Sequence, residues 1–266
     1  MQKITSKILK QLYRASATSH KGDNGRLLII AGSKKYHGSL VLSATIASKI
    51  VDFVYVHTTR KNFTVIEKMK EKLAEFIYIN KKDLKGVLED EADAILLGPG
   101  LQLNEQNRKL IKTILKKYQN IKTVLDAGAL RLVDLKDLHE NCVLTPHSQE
   151  FETLFSCAYS KACAAQKSEQ IPATIILKGK NDYIFKNGKV WENKTGNAGM
   201  TKGGTGDVLA GIIAGLACKN DILTAAQAGV YINGKAGDNL KKKFGFYYSA
   251  SDLIPEIQLS LSGFRN

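Results

Sequence analysis

The sequence predicts an α/β fold in which a central, mainly parallel sheet lies between two layers of helices, and three observations predict it. Short apolar runs of strand length alternate with longer helical patterns, the order expected of a parallel sheet covered on both faces. No Pro- or Ser-rich linker and no repeat interrupts the alternation, so the 266 residues read as one domain over 1–266. A glycine-crowded loop, GNAGMTKGGTGD (196–207), runs straight into the apolar stretch VLAGIIAGLA (208–217), the pattern of a flexible loop entering a buried helix.

The strands are read from runs rich in Val, Ile and Leu: RLLIIAG (26–32), DFVYVHT (52–58), DAILLGP (93–99), IKTVLDA (121–127), NCVLTP (141–146) and TIILKG (174–179). Between them the spacing predicts helices near 39–50, 64–75, 104–118 and 150–165, followed by 205–218 and 223–240 after the glycine loop. DYIFKNGKVWEN (182–193) is different. Two short strand patterns flank Asn187-Gly188, the preferred pair for a type I′ turn, which predicts a β-hairpin just before the loop. At the N-terminus Ile4, Ile8 and Leu12 share one face of a helical pattern with basic residues between them, which predicts a docked amphipathic helix.

Composition narrows the function. The net charge of +14 suits an anionic partner, but Lys and Arg are scattered and no nucleic-acid signature accompanies them, so no nucleic-acid partner is expected. A basic surface would still steer phosphorylated small molecules inward. No apolar run has the length of a membrane span, and no uninterrupted apolar core marks a secretory signal, so no membrane partner is expected. Cys142, Cys157, Cys163 and Cys218 form no C-x-x-C pair and match no His spacing, which signals neither a zinc site nor a disulfide framework and fits a reducing, cytoplasmic compartment.

Open α/β sheets bind ligands beyond the carboxyl ends of their strands. Four segments fall there: GSKKYHGS (32–39), GPG (98–100), TPHSQE (145–150) and KGKND (178–182). Together with GGTGD they can line one crevice. A helix entrance offers free backbone N–H groups and the positive end of the helix dipole, which together bind phosphate. Asp207 at that entrance has two explanations. It or Thr205 caps the helix, worth about 1 kcal/mol, or it is a carboxylate that handles a proton beside a bound phosphate.

The combination of SHKGDNGRLLIIAGSKKYHGS (19–39), LLGPGL (96–101), LTPHSQEF (144–151), ILKGKNDYI (176–184) and GNAGMTKGGTGDVLAGIIAGL (196–216) resembles, in order, the signature segments of the ADP/ATP-dependent (S)-NAD(P)H-hydrate dehydratases. The resemblance implies a three-layer ribokinase-like fold. It implies a reaction in which ADP or ATP, with Mg²⁺, phosphorylates the ring hydroxyl of hydrated NADH or NADPH so that phosphate can leave. Asp207 matches the general base, and Gly203, Gly204, Thr205 and Gly206 match the anion hole. Lys178, Gly179, Lys180, Asn181 and Asp182, with Gly206, match the nucleotide-binding segment. Ser39, Gly100 and His147 match positions that hold the dinucleotide, and Asn197 and Glu150 fall near the phosphates or the magnesium. On this resemblance the dipole of the helix keeps Asp207 ionised. The sequence departs from the family pattern at Ser39, at Gly128 in LDAGAL, at Ser148-Gln149, and at Ala198 in NAGM. The leader before Ser19 is too short for the epimerase domain often fused to such chains, so a stand-alone dehydratase is expected, self-associating as members of the fold often do. The alternative within the fold is a kinase for a hydroxymethylpyrimidine, a thiazole or a sugar.

Overall fold

The computed structural model describes residues 1–59 and 62–262. Ten strands form a single sheet: β1 (Gln2–Lys3), β2 (Arg26–Ile30), β3 (Phe53–His57), β4 (Ile77–Tyr78), β5 (Ala94–Leu97), β6 (Lys122–Leu125), β7 (Cys142–Leu144), β8 (Thr174–Leu177), β9 (Asp182–Lys186) and β10 (Lys189–Asn193). Their order across the sheet is β1-β10-β9-β8-β7-β6-β5-β2-β3-β4. Every pairing is parallel except the two made by β9, with β8 and with β10. The predicted strands all form, each trimmed at its ends because the flanking Gly, Pro and Asp leave the ladder. The hairpin turns on Asn187 (φ 49°) and Gly188 (φ 72°), both left-handed as a type I′ turn requires.

Alternation along each strand sends side chains to two cores. Leu27, Ile29, Leu96 and Val124 face one layer, where they pack with α1 (His37–Ala47), α2 (Phe63–Lys70), α7 (Thr205–Ala217), α8 (Ile222–Phe244) and α9 (Ala250–Ser262). Leu28, Ile30, Leu97 and Leu125 face the other, against α3 (Leu84–Gly86), α4 (Glu105–Lys117), α5 (Ser148–Phe155) and α6 (Lys161–Gln170). Strands buried on both faces explain why the sequence shows continuous apolar runs and no polar alternation.

Three expectations need correction. The predicted helix at 150–165 is two, α5 and α6, because Ser156 adopts a left-handed conformation (φ 51°) that ends the first. Cys157 and Cys163 form a disulfide across this joint, so cysteine usage no longer speaks for a reducing compartment. The N-terminus is no amphipathic α-helix: Gln2–Lys3 add a strand beside β10, and a 3₁₀ helix at Ser6–Gln11 buries Ile8 and Leu9. Helix α9 and strand β4 carry no clear periodic signal, the one broken by Pro255 and the other only two residues long.

Register places the site. Ile30 pairs with Leu97, Leu97 with Leu125, and Leu125 with Leu144, so four strands end on one line. The loops that follow them therefore open on the same edge. The chain runs outward from β2 to β3 and β4, then returns to β5 on the other side of β2. That reversal leaves a crevice between the loops after β2 and β5.

Candidate active site

Helix α7 supplies the centre of the site. Its N-cap is Gly204, held at φ +95°, and no side chain caps it. A Cβ at Gly204 would meet Leu42 Cδ1 at 2.5 Å, so the position needs glycine for both conformation and space. The capping explanation of Asp207 and Thr205 is thereby corrected. Thr205 instead donates its hydroxyl to the Met200 and Lys202 carbonyls (2.7 and 3.0 Å), folding the glycine loop back onto the first turn. Asp207 stands in that first turn with its carboxylate unused by any cap.

Two cavities meet here. One, of about 560 Å³, is lined by Ser39, Gly100, Gly128, Arg131, Glu150 and Asp207 among others. The second, of about 680 Å³, is lined by Lys178 through Asp182, Asn197, Thr205 and Gly206. Consecutive residues Gly206 and Asp207 thus line different chambers.

Burial pushes the Asp207 carboxyl up to about 6, with the Asp126 carboxylate adding to it and the Ser39 hydroxyl and Lys178 ammonium opposing. Raised to that value the carboxyl is still ionised at neutral pH, as the sequence reading expects, and takes up its proton only below about pH 6. Asp126, just past the end of β6, accepts from Lys178 Nζ (3.1 Å) and from Thr145 Oγ1 (2.6 Å) in a buried ion pair. A Cβ on Gly206 would lie 3.6 Å from Lys178 Nζ, so the ammonium sits over the first turn of α7. Burial opposes the charge of Lys178, but the carboxylates of Asp126, Glu150 and Asp182 outweigh it and hold the ammonium above its ordinary value. Asp182 is pushed up to about 6 by burial, against the Gly179 N–H and Asn193 amide that donate to it.

The remaining expected residues fall as follows. Asn197 lines the second cavity with both ends of its amide engaged: it donates to Asp238 (3.2 Å) and accepts from Tyr248 Oη (2.8 Å). It is a strut for the loop. Gly203 and Gly204 line neither cavity, and of the two only Gly204 has a left-handed conformation (φ 95°). Ser39 and Gly100 line the first cavity with Asp207. His147 lines neither; it caps α5 in a reciprocal pair with Glu150, whose N–H lies 3.4 Å from its Nδ1. Glu150 is the member of that pair that reaches the cavity. At Gly128 a Cβ would meet the Leu101 carbonyl at 2.6 Å, so the loop after β5 closes onto this residue. Among the described residues no cluster of three or more His, Cys, Asp or Glu could cage a metal.

Sequence reasoning passed over Asp126 and Tyr159. Asp126 had a signal, an acid ending an apolar strand within LDAGAL. Tyr159, whose hydroxyl donates to the Lys178 carbonyl (2.5 Å), had none, because only the joint between α5 and α6 brings it there.

Two cavities share a helix N-terminus, with a buried carboxylate on one side and a lysine over the turn, within a ribokinase-like fold. The family model described as NAD(P)H-hydrate dehydratase matches residues 27–259. The chain belongs to that family. A bifunctional NAD(P)H-hydrate repair enzyme of Methanocaldococcus jannaschii is 40% identical over 97% of this chain, which spans about half (52%) of that relative's length. An ADP-dependent (S)-NAD(P)H-hydrate dehydratase of Nitrosopumilus maritimus is 34% identical, covering 98% of this chain and 96% of its own. The ADP/ATP-dependent NAD(P)H-hydrate dehydratase of Bacillus subtilis, co-crystallised with ATP/Mg²⁺, superposes with a TM-score of 0.84 at 28% identity over 98% of both chains.

Proposed function

We propose that the chain dehydrates the (S)-hydrate of NADH or NADPH back to the reduced dinucleotide, spending ADP or ATP, and that residues 1–266 form one domain sufficient for it. The observation that carries the reading is Asp207 on the acceptor side of the turn whose Gly206 and Lys178 face the donor side. The hydrate lies in the first cavity with its ring hydroxyl toward Asp207, near Ser39 and Gly100. The nucleotide lies in the second, its phosphates over the N–H groups of Thr205 and Gly206. Asp207 takes the hydroxyl proton, and the oxygen bonds to the terminal phosphorus as the bond from that phosphorus to the rest of the nucleotide breaks, releasing AMP from ADP or ADP from ATP; Lys178 and the N–H groups offset the charge that develops. The C–O bond then breaks with inorganic phosphate as the leaving group, and the ring double bond returns as the neighbouring carbon gives up its proton to the departing phosphate.

A lone carboxylate beside the phosphates and no cage is a donor set that suits Mg²⁺, which keeps waters and takes most other ligands from phosphate. Glu150 would hold it, with Asn197 stiffening the adjoining loop and Asp207 left to take the proton, and it would neutralise phosphate charge. A cytoplasmic location and self-association belong to the same reading, which needs no membrane or nucleic acid. Among the described residues no helix is long and apolar enough to cross a membrane.

The test is recovery of reduced-nicotinamide absorbance when hydrated NADH is mixed with Mg²⁺ and either nucleotide. A small-molecule kinase would instead leave a stable phosphorylated product. Asp207→Asn is expected to lower turnover by at least about 10²-fold, the lower end of general-base contributions, while nucleotide affinity stays within about twofold. Retained turnover would overturn the base assignment.

A further inference from the structure

The segment Lys178 to Asp182, which lines the donor cavity, is held from one short loop. Helix α5 ends at the left-handed Ser156, α6 begins at Lys161, and residues 156–160 between them belong to no helix or strand. The disulfide of Cys157 and Cys163 closes this stretch into a ring. Two anchors of the donor-side segment stand inside the ring. Tyr159 donates its hydroxyl to the Lys178 carbonyl (2.5 Å). A Cβ at Gly179 would lie 2.7 Å from that hydroxyl oxygen, so the tyrosine approaches the backbone as closely as a glycine permits. Lys161 Nζ donates to Tyr183 Oη (3.2 Å) and lies over the same ring, 4.3 Å from its centroid. Tyr183 donates in turn to Glu192 Oε1 (3.0 Å), the atom that also accepts from the Asn181 side-chain amide (3.1 Å). One end of the segment is tied directly, the other through two side chains.

The four cysteines are of two kinds. Cys142 and Cys218 are free thiols, 0% and 4% exposed, and burial pushes both up, away from the reactive thiolate. Cys157 and Cys163 are only half-buried, at the margin of the core on the α3 to α6 face, where a small dithiol can reach them. The proposed dehydration uses neither sulfur.

We propose that the Cys157–Cys163 disulfide is a redox site that sets nucleotide affinity: closed, it holds Tyr159 and Lys161 against the donor-side segment, and opened, it releases them and the nucleotide binds more weakly. The inference rests on the reading of the second cavity as the nucleotide site. Tyr159 is a positioning residue here, acting through the Lys178 backbone. The co-reactant is a dithiol. One of its thiolates attacks one sulfur, the S–S bond breaks as a mixed disulfide forms, and the second thiolate then displaces the remaining cysteine. The dithiol leaves as its own disulfide, and its two electrons and two protons stay on Cys157 and Cys163 as thiols. Closure runs the same steps in reverse with a disulfide as oxidant. The bridge spans six positions and reaches no element beyond this joint, so opening it frees the joint alone.

The test compares the protein oxidised with glutathione disulfide and reduced with dithiothreitol. Iodoacetamide labelling of the native protein, read by mass spectrometry, reports the state: no label is expected before reduction and two after it, since Cys142 and Cys218 are buried. Binding of ADP and of ATP with Mg²⁺, measured by calorimetry without turnover, is expected to weaken about two- to tenfold on reduction, the scale of one hydrogen bond. KM for the hydrate is expected to stay within about twofold. The double variant Cys157→Ser, Cys163→Ser is expected to bind nucleotide as the reduced protein does and to ignore dithiothreitol. In Tyr159→Phe, reduction is expected to produce a smaller change than in the unaltered protein, because the tie it releases is already gone. Labelling of the oxidised protein, equal or tighter binding after reduction, an undiminished reductant effect in either variant, or a hydrate KM that rises in step with the nucleotide constant would overturn the proposal. Absence of nucleotide binding in both states would defeat the reading of the second cavity itself, whereas equal binding in both defeats the redox site alone.

Discussion

Asp207 and Asp182 both have carboxyls raised to about 6 by burial, and this has opposite consequences for activity and stability. A base must be ionised to accept a proton, so kcat/KM is expected to rise about tenfold per pH unit up to about pH 6 and then level off. For stability, the folded carboxyl binds its proton more tightly than the unfolded one at 3.8. Folding is therefore favoured by these groups at low pH, and the benefit is lost as pH rises through the interval from about 4 to about 6. Partly screened, ionised Asp207 costs stability on the order of 1–2 kcal/mol at neutral pH. Asp207→Asn is expected to raise Tm by about 2–6 °C at pH 7.5 and by nothing measurable at pH 4, as calorimetry would show. A variant that loses activity and gains stability separates a working group from a structural one. Asp207 could be seen in the sequence, because an acid beside five glycines at a helix start is a local signal; its raised pKa could not, because its burial, and the nearness of Asp126 that adds to it, arise only on folding.

The joint between α5 and α6 governs the donor side. Tyr159 stands within the loop closed by Cys157 and Cys163, rests edge-on against Phe151, and donates to the Lys178 carbonyl. Tyr159→Phe removes that hydrogen bond and keeps the ring. It is expected to raise nucleotide KM about two- to tenfold, on the scale of one hydrogen bond, with kcat nearly unchanged; steady-state kinetics with varied nucleotide distinguishes this from general instability, which would lower both. The strands on either side were legible because continuous Val, Ile and Leu runs have one reading between helices. The break at Ser156 was not: a left-handed serine has no composition signature, and the helical pattern continues across it. The 3₁₀ turn at Ser6–Gln11 was misread for a similar reason, since Ile8 and Leu9 are buried as neighbours and not as successive turns of one helix face.

Across the whole molecule the positive charge of +14 acts at a distance. Both proposed substrates are anions, so kcat/KM for each is expected to fall as salt rises from about 0.05 to about 0.5 M while kcat holds, because screening shortens the range of attraction. A salt-independent kcat/KM would assign the charge to another purpose. The layered architecture was legible as a whole because alternation of short and long periods is a global pattern. A cavity of about 890 Å³ at the ends of β2, β3 and β4 was not, since its walls come from those strands, the segment 78–81, the loop after β5 and the start of α4, which are far apart in the chain.

The division between the two central chambers also runs along the chain. Most of the acceptor side is built from residues 33–39, 100–103 and 127–131 and most of the donor side from 178–182 and 194–201, and along α7 the two alternate, with Thr205, Gly206 and Leu209 on one and Asp207 on the other. Under the proposed function, most changes that retune the molecule repaired and most changes that retune the nucleotide consumed therefore fall on separate stretches of polypeptide. Descendants of this chain can exchange one preference without renegotiating the other, provided the two residues at the seam stay as they are.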